Sequence, residues 1–203
     1  MATSDIDLSS QSLLRLGEKA ISSFSDGTDA ATICGNNYPG FKLFILEIHD
    51  WFCAKRRSKL TRSDTSPINE HAYAYHLPTD FLRMVAVYDS ASTGHPIPTK
   101  DFELFGRTLE TDKTAVWIEY IADLDESLMP AYLQELIVTG FAAEIAIPIT
   151  DQVNMQTKFA RDAWGPGGVK GEHGGLFKLA KRTDRVQQPT KVVQDYTLIT
   201  ARG

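Results

Sequence analysis

The stretch that decides the fold is DWFCAKRRSKLTR, residues 50–62. Before it, apolar residues recur at the three- and four-residue spacing of helices. From Trp51 onward the spacing changes to the period of two that is typical of strands. The stretch therefore predicts where a helical region ends and a β-region begins. It also raises a question of function, because aromatic residues beside a basic run are typical of nucleic-acid-binding surfaces.

Upstream of this stretch, the sequence predicts three helical pieces. The first begins at a cap on Ser9 or Ser10, and a short turn follows over residues 21–24. Thr28 is a good N-cap for a longer helix over residues 29–49, which has a broad apolar face. Pro39-Gly40 in the middle of that helix predicts a kink or a split into two.

Downstream, small and aromatic residues alternate over residues 72–77. The run over residues 82–88 is long enough, and rich enough in β-forming residues, to be a buried strand. Residues 101–123 predict two or three antiparallel strands, with turns at Gly106 and at residues 111–113. This part of the chain is therefore expected to be a β-region.

Helical spacing returns after this β-region. Ser127 is the expected cap, Pro130 fits the first turn, and Pro148 is expected to end the helix. A further helix is predicted over residues 151–164, followed by a last helical piece over residues 176–181 or slightly beyond.

Together these signals predict an α+β protein: mainly an α-helical bundle, with an inserted antiparallel β-region and an extended C-terminal tail. Residues 1–52 and 123–185 form the discontinuous bundle, residues 53–122 the β-region, and residues 186–203 the arm. The arm is strand-like but too short to hold a core, so we expect it to dock on a neighbouring copy or another protein. Its candidate docking residues are Val192, Asp195, Tyr196, Leu198 and Ile199.

Composition narrows the classes of function. The net charge is −5, which argues against a general nucleic-acid binder. Residues 1–155 hold 12 basic and 22 acidic residues, net −10, and residues 156–203 hold nine and four, net +5. An acidic body with a basic tail suggests electrostatic contacts between molecules, although a polar tail can also be basic by chance.

Other features of the sequence set the expected compartment and state. No run approaches 18 uninterrupted apolar residues, so we expect no membrane partner. The acidic N-terminus lacks the features of a signal peptide, which predicts synthesis and retention in a cytoplasm until assembly. Cys34 and Cys53 are expected to be reduced, with Cys34 the more buried.

Motifs for catalysis, metals or cofactors are weak. GPGGVKG (residues 165–171) has the glycines of a phosphate cradle but lacks the following GK[ST], so a linker or interface loop is expected. Glu47, His49 and Asp50 lie too close in sequence for one helix to direct them at one metal. We therefore expect no catalytic residues, no cofactor and no metal site, and hence no enzyme.

The order of segments resembles the head-to-tail adaptor proteins of tailed bacteriophages, the tail tubular protein A type of short-tailed phages. The similarity is carried by LGEKAISSF (16–24) and the Ala/Cys/Tyr helix that follows it. It continues through YAYHLPTDFLRMVAVY (73–88) and LMPAYLQELIVTGFAAEIAIPIT (128–150). It covers about residues 8–165 and consists of packing residues.

The resemblance implies a structural virion protein without catalysis. Such adaptors form a ring, usually of twelve copies, beneath the portal and extend the DNA channel toward the tail nozzle. The implied partners are other copies of the chain, the portal protein and the nozzle protein, with a tail fibre as a further candidate. The implied location is the neck of the virion, after assembly in the host cytoplasm.

This reading changes the interpretation of the basic run and of the two aromatic residues before it. Trp51 and Phe52 are expected to close the end of the long helix onto the core. Twelve copies that each neutralised several phosphates would hold DNA too tightly for a conduit. We therefore expect intersubunit or surface pairing for Lys55, Arg56, Arg57, Lys59 and Arg62. The alternative is a sequence-independent DNA-binding or packaging factor that uses the same residues 55–62.

Overall fold

The computed structural model describes residues 3–65, 67, 70–89, 98–171 and 174–186. The helices are α1 (Asp5–Arg15), α2 (Asp29–Glu47), α3 (Ala131–Thr150), α4 (Val153–Trp164) and α5 (Gly175–Val186). The strands lie between α2 and α3. They are β1 (Lys55–Lys59), β2 (Thr61–Arg62), β3 (Tyr73–His76), β4 (Phe81–Tyr88), β5 (Glu103–Phe105), β6 (Thr108–Thr111) and β7 (Trp117–Ala122). Two antiparallel sheets beside helices confirm the predicted α+β class.

Helix α3 is the centre of the bundle, because α1, α2, α4 and α5 all pack against it. It is apolar around most of its circumference and buries eleven residues, as a helix surrounded by others must. Gly140 permits the closest of these contacts. A Cβ at this position would lie 2.8 Å from Cζ of Phe41 and 3.3 Å from the ring of Trp164.

The strands form two sheets, with orders β1-β7-β4 and β2-β3-β6-β5. One face of β7 and β4 packs on the bundle through Ile121, Leu82 and Val85. Apolar residues of both sheets form a second, smaller core that includes Tyr75 and Ile118. The inserted strands are therefore held from two sides.

Several helix ends differ from the predictions. Helix α1 begins earlier than expected, because Ser4 caps it and forms a capping box with Asp7. Ser9 and Ser10, the two predicted caps, both lie inside the helix, and the Ser10 hydroxyl donates to the Ile21 carbonyl at 2.9 Å. The predicted helical turn over residues 21–24 is wrong, because this segment is irregular.

The two prolines do not interrupt their helices. Pro39 and Gly40 lie on the exposed side of α2, and burial of Tyr38 and Phe41 on its inner side keeps the helix continuous. Helix α3 runs past Pro148 to Thr150 and ends at Asp151, whose backbone is left-handed with φ 55°. Packing of the apolar faces thus outweighs the hydrogen bond lost at each proline.

The start of α3 also differs from the prediction. The side chain of Asp125 caps a short 3-10 turn over Glu126–Leu128, and α3 itself begins at Ala131. Ser127, the predicted cap, is inside that turn. The strand predictions are confirmed, including the turn at Gly106, where φ is 56° and a residue with a Cβ would be strained.

Candidate interaction surface around the basic strand

The first part of the basic run is neutralised within its own sheet. Arg57 lies directly opposite Glu119 in the β1–β7 pair, and its guanidinium is 3.2 Å from Glu119 Oε2. Lys55 Nζ is 3.4 Å from Oε1 of the same carboxylate. The Arg57 guanidinium also lies 4.8 Å from the centre of the Tyr88 ring. Two cations therefore share one carboxylate on this face of the sheet.

Arg56 points to the other face, as alternation along a strand requires. Its Nε lies 3.6 Å from Asp80 Oδ2, and the Tyr120 hydroxyl donates to Asp80 Oδ1 at 3.1 Å. Burial, together with the Asp80 charge, raises the pKa of Tyr120 to about 12. Tyr120 therefore stays protonated and serves as a donor to this ion pair.

Lys59 and Arg62, at the end of the run, are placed differently. Lys59 Nζ lies 5.3 Å from the Trp117 ring centre, and the Arg62 guanidinium lies 4.0 Å from that of Tyr73. Neither forms an ion pair with a carboxylate in the described part of the chain. Their positive charges are therefore not neutralised by a carboxylate within the described residues.

An open pocket of about 440 Å³ lies beside these two residues. Its lining combines the two cations with a buried aromatic ring and two hydroxyl groups: Lys59, Leu60, Thr61, Arg62, Tyr75, Thr114 and Ala115. The Tyr75 hydroxyl is already used, because it donates to the Lys113 carbonyl at 2.7 Å. We call this concave surface the cationic pocket.

The five predicted interface residues thus fall into two groups. Lys55, Arg56 and Arg57 form ion pairs with carboxylates of the same chain. Contact with another copy remains a prediction for all five residues, and Lys59 and Arg62 are the two whose charge is still available for it.

The two aromatic residues before the run also have separate roles. Trp51 is fully buried, and its indole N–H donates to the Ile45 carbonyl at 2.7 Å, so it closes the end of α2 as predicted. The same expectation for Phe52 is wrong, because 45% of its surface is exposed. Phe52 contributes its backbone N–H instead, which donates to Asp184.

Asp184 lies where α5, α3 and the start of the β-region meet, and it is the polar centre of that junction. It is almost fully buried on α5, and it accepts hydrogen bonds from the Phe52 N–H at 3.1 Å and from the Tyr132 hydroxyl at 2.7 Å. His49 Nε2 lies 3.8 Å from Asp184 Oδ2. This network fixes the last turn of α5 to the start of the β-region and to α3.

Burial controls protonation at this junction. It lowers the pKa of His49, although the Asp184 charge opposes the effect. It raises the pKa of Tyr132, with Asp184 acting in the same direction. Burial is also the main reason why the pKa of Cys53 rises to about 11, which leaves its thiol protonated and a poor nucleophile. The arrangement supports packing better than catalysis.

Sequence reasoning missed Asp184, although a signal existed. Phe177, Ala180 and Asp184 follow each other at spacings of three and four, so they share the buried face of α5. A carboxylate on an apolar helix face needs buried hydrogen-bond donors. The pattern could have predicted such a network, but only the fold shows that Phe52 and Tyr132 provide the donors.

The glycine-rich loop folds back onto the bundle. Lys170 Nζ lies 3.0 Å from Glu144 Oε2 and 4.6 Å from the Phe44 ring centre. Between this loop, α3 and α4 lies a cleft of about 170 Å³ that includes Gly168 and Trp164. The loop therefore packs against the helices in the part that the structure describes.

The acidic and histidine residues around residue 50 do not converge on one point. Asp50 pairs with Arg83, whereas His49 faces Asp184, so the residues of the EIHD segment diverge. Among the described residues, no group of three or more His, Cys, Asp or Glu side chains could hold a metal ion. The arm residues Val192, Asp195, Tyr196, Leu198 and Ile199 lie outside the described residues.

Helix α3 is long and apolar enough to cross a membrane by length and composition alone, and it is the one described helix that meets this test. Most of it is buried at the centre of the bundle, which accounts for its apolar composition. Comparison with known proteins found no matching family model and no similar curated protein.

Proposed function

We propose that this chain is a structural subunit of a phage neck: a head-to-tail adaptor whose copies form a ring between portal and tail nozzle and extend the DNA channel. The proposal rests on the resemblance of the sequence, together with what the matching residues do in the fold. It assigns the protein no catalytic step.

The observation that carries the proposal is the role of Asp80 and Arg83, the two residues of the Leu-Pro-x-Asp…Arg pattern within the matching stretch 73–88. Arg83 donates to the Glu47 carbonyl at 2.9 Å and pairs with Asp50, so it joins β4 to the end of α2. Asp80 binds Arg56 and Tyr120 and so joins the loop before β4 to β1 and β7. Arg83 thus holds the β-region on the bundle, and Asp80 holds strands of the β-region together, which favours a structural role for both residues.

The titratable groups of the bundle support the same proposal. Asp184, Tyr132 and His49 together fix α5, the helix that leads to the C-terminal arm. Cys34 is fully buried, and burial raises the pKa of its thiol to about 11. Groups that could act as a nucleophile or a base are thus used for packing.

The alternative, sequence-independent DNA binding, is favoured by one observation: Lys59 and Arg62 lie beside aromatic rings and without carboxylate partners in the described residues. Two cations per copy give only a weak dependence on salt. With a net charge of −5, the chain is therefore better suited to assembly with other proteins than to holding DNA.

Electron microscopy of the full chain mixed with the portal protein of the same genome tests the proposal. We expect a ring of added density at one end of the portal at physiological salt. A variant lacking residues 187–203 should stay folded but fail to dock. Bare portals beside free subunits of the intact chain would refute the adaptor function.

A further inference from the structure

We infer that the cationic pocket is a binding site for a phosphate group, carried by a small phosphorylated molecule or by a nucleic-acid strand. Both sources present the same chemistry to the pocket, namely negatively charged oxygens that accept hydrogen bonds. The inference goes beyond the proposed function, because it concerns the isolated chain and does not depend on docking to a portal.

The charge of the lining selects an anion. Lys59 and Arg62 are the cations of the pocket, and none of the described residues that line it carries a carboxylate. Both cations also lack a carboxylate partner elsewhere in the described part of the chain. A metal ion would be repelled here, whereas an anion would be attracted by two opposite charges.

Aromatic rings hold the two cations in place. Lys59 lies directly opposite Trp117 in the β1–β7 pair, and its Nζ is 5.3 Å from the centre of that ring. Arg62 lies opposite Tyr75 in the β2–β3 pair, and its guanidinium is 4.0 Å from the centre of the Tyr73 ring. Such contacts restrict a side chain without neutralising its charge. Less conformational entropy is therefore lost when the two side chains bind a ligand.

Hydrogen bonds fix the chain around the pocket. The backbone N–H of Leu60 donates to the Val116 carbonyl at 2.9 Å, which joins the link between β1 and β2 to the residues before β7. The Tyr75 hydroxyl donates to the Lys113 carbonyl at 2.7 Å, which joins β3 to the same part of the chain. The pocket is therefore formed without a ligand, as small-molecule sites usually are.

The free donors of the pocket match a phosphate group. Thr61 and Thr114 are exposed in its lining, and neither hydroxyl forms a hydrogen bond in the part of the chain that the structure describes. With the ammonium and the guanidinium, four side chains can donate. A phosphate ester presents three strong acceptor oxygens and can accept the guanidinium at two of them, whereas a carboxylate has only two oxygens. The lining therefore suits phosphate better than the carboxylate of an acidic protein.

The size of the pocket agrees with such a ligand. Its volume of about 440 Å³ lies within the range of about 300–1,000 Å³ that is usual for small-molecule sites. Leu60 and Tyr75 are only 5% and 2% exposed, so they close the bottom of the pocket and recognition depends on its polar side chains. Burial raises the pKa of Tyr75, and the charge of Arg62 opposes this effect. The positive charge therefore acts at the bottom of the pocket as well as at its rim.

Nuclear magnetic resonance of the full chain, labelled with nitrogen-15 and titrated with inorganic phosphate, tests where the anion binds. We expect saturable shifts of backbone amides that are confined to the pocket, at Thr61, Arg62, Thr114 and Ala115. Acetate at the same ionic strength is the control and should leave these signals unchanged. Shifts that do not saturate, shifts that also occur along the basic helix α5, or an equal response to acetate would overturn the inference.

Substitutions test which side chains bind the anion. Lys59→Gln/Arg62→Gln should weaken binding of adenosine 5′-monophosphate at least about tenfold by titration calorimetry, because charge-assisted hydrogen bonds are lost. Arg62→Lys keeps the charge but loses the planar fork, so its affinity should be intermediate. The matched control is Lys178→Gln/Arg182→Gln on exposed residues of α5, which should bind like the unaltered chain. Equal weakening in the control would show unspecific attraction and refute the site.

A comparison of three ligands identifies the source of the phosphate. They are adenosine 5′-monophosphate, adenosine, and a single strand of about ten deoxythymidines, a length within the range of single-strand binding sites. A strand that binds more tightly than the mononucleotide identifies a nucleic-acid backbone, and any other order of these two identifies a small phosphorylated molecule. Adenosine lacks the phosphate and should not bind. If adenosine binds as tightly as its monophosphate, the pocket does not recognise phosphate and the inference fails.

Discussion

The most buried carboxylate of the helical bundle and the ion pairs of the β-region differ in how far they are shielded from water. In the bundle, Asp184 is buried and its oxygens accept hydrogen bonds from Phe52 and Tyr132. In the β-region, Lys55, Arg57 and Glu119 form their ion pairs at the surface, partly in contact with water. Buried polar groups are costly to leave without partners, whereas surface pairs contribute little. The comparison indicates that the buried polar network of the bundle contributes more to stability than the surface ion pairs of the β-region do.

The apolar residues show the same contrast. Among the described residues, 30 buried apolar residues belong to the bundle core and nine to the core of the β-region. Most of the burial free energy therefore belongs to the bundle, and substitutions there should have the larger effects.

The largest expected effect comes from Trp51→Ala in the bundle core. Removing a fully buried indole should lower the free energy of unfolding by about 3–5 kcal/mol. Denaturant unfolding followed by circular dichroism measures it. The neighbouring Phe52→Ala should cost less than about 1 kcal/mol, because Phe52 is largely exposed. Equal costs for the two variants would contradict the division of roles between these residues.

The next effect is expected for Asp184→Asn. Tyr132 and Phe52 both donate to Oδ1, and the Phe52 N–H also donates to Oδ2 at 3.2 Å. An amide nitrogen in place of Oδ2 removes this second acceptor, together with the negative charge that strengthens the other hydrogen bonds. The free energy of unfolding should fall by about 1–3 kcal/mol. Asp162→Asn, at an exposed position of α4, is the control and should change stability by less than about 0.5 kcal/mol. A neutral Asp184→Asn would mean that the network does not hold α5.

A smaller effect is expected for Glu119→Gln in the β-region. The two ion pairs are partly exposed, so the loss should be about 0.2–1 kcal/mol. It should shrink when unfolding is measured at about 1 M salt, because screening weakens the pairs in the unaltered chain. A loss of several kcal/mol that salt does not change would show that this carboxylate matters as much as Asp184.

The smallest effect concerns pH. Burial lowers the pKa of His49 in the folded protein, so the unfolded chain binds this proton more readily. The folded state therefore keeps its full stability above the ordinary value of 6.5 and loses some as pH falls below it. His49→Gln should lose less stability than the unaltered chain between pH 8 and pH 5, measured as the melting temperature. Parallel curves for the two proteins would rule out His49 as the cause.

The groups that face His49 explain why this effect is small. Asp184 and Asp50 favour the charged imidazole, whereas burial, Lys181 and Arg185 disfavour it. Because these influences oppose each other, the pKa of His49 falls by less than burial alone would lower it.

Secondary structure was largely predictable because it depends on local spacing. The change of period at Trp51, the alternation before His76 and the turn at Gly106 are properties of neighbouring residues, and the structure confirms each of them. The predictions failed at Pro39 and Pro148, where packing against other helices keeps a continuous helix. Local propensity is a weak effect when a broad apolar face is buried.

The candidate site was predictable in composition but not in organisation. The sequence by itself determined that a basic run follows two aromatic residues and that strands begin there. Only the tertiary structure decided that Lys55, Arg56 and Arg57 meet carboxylates of their own chain, whereas Lys59 and Arg62 border an open pocket. The reason is distance along the chain: Glu119 lies 62 residues after Arg57, and only the pairing of β1 with β7 brings the two charges together.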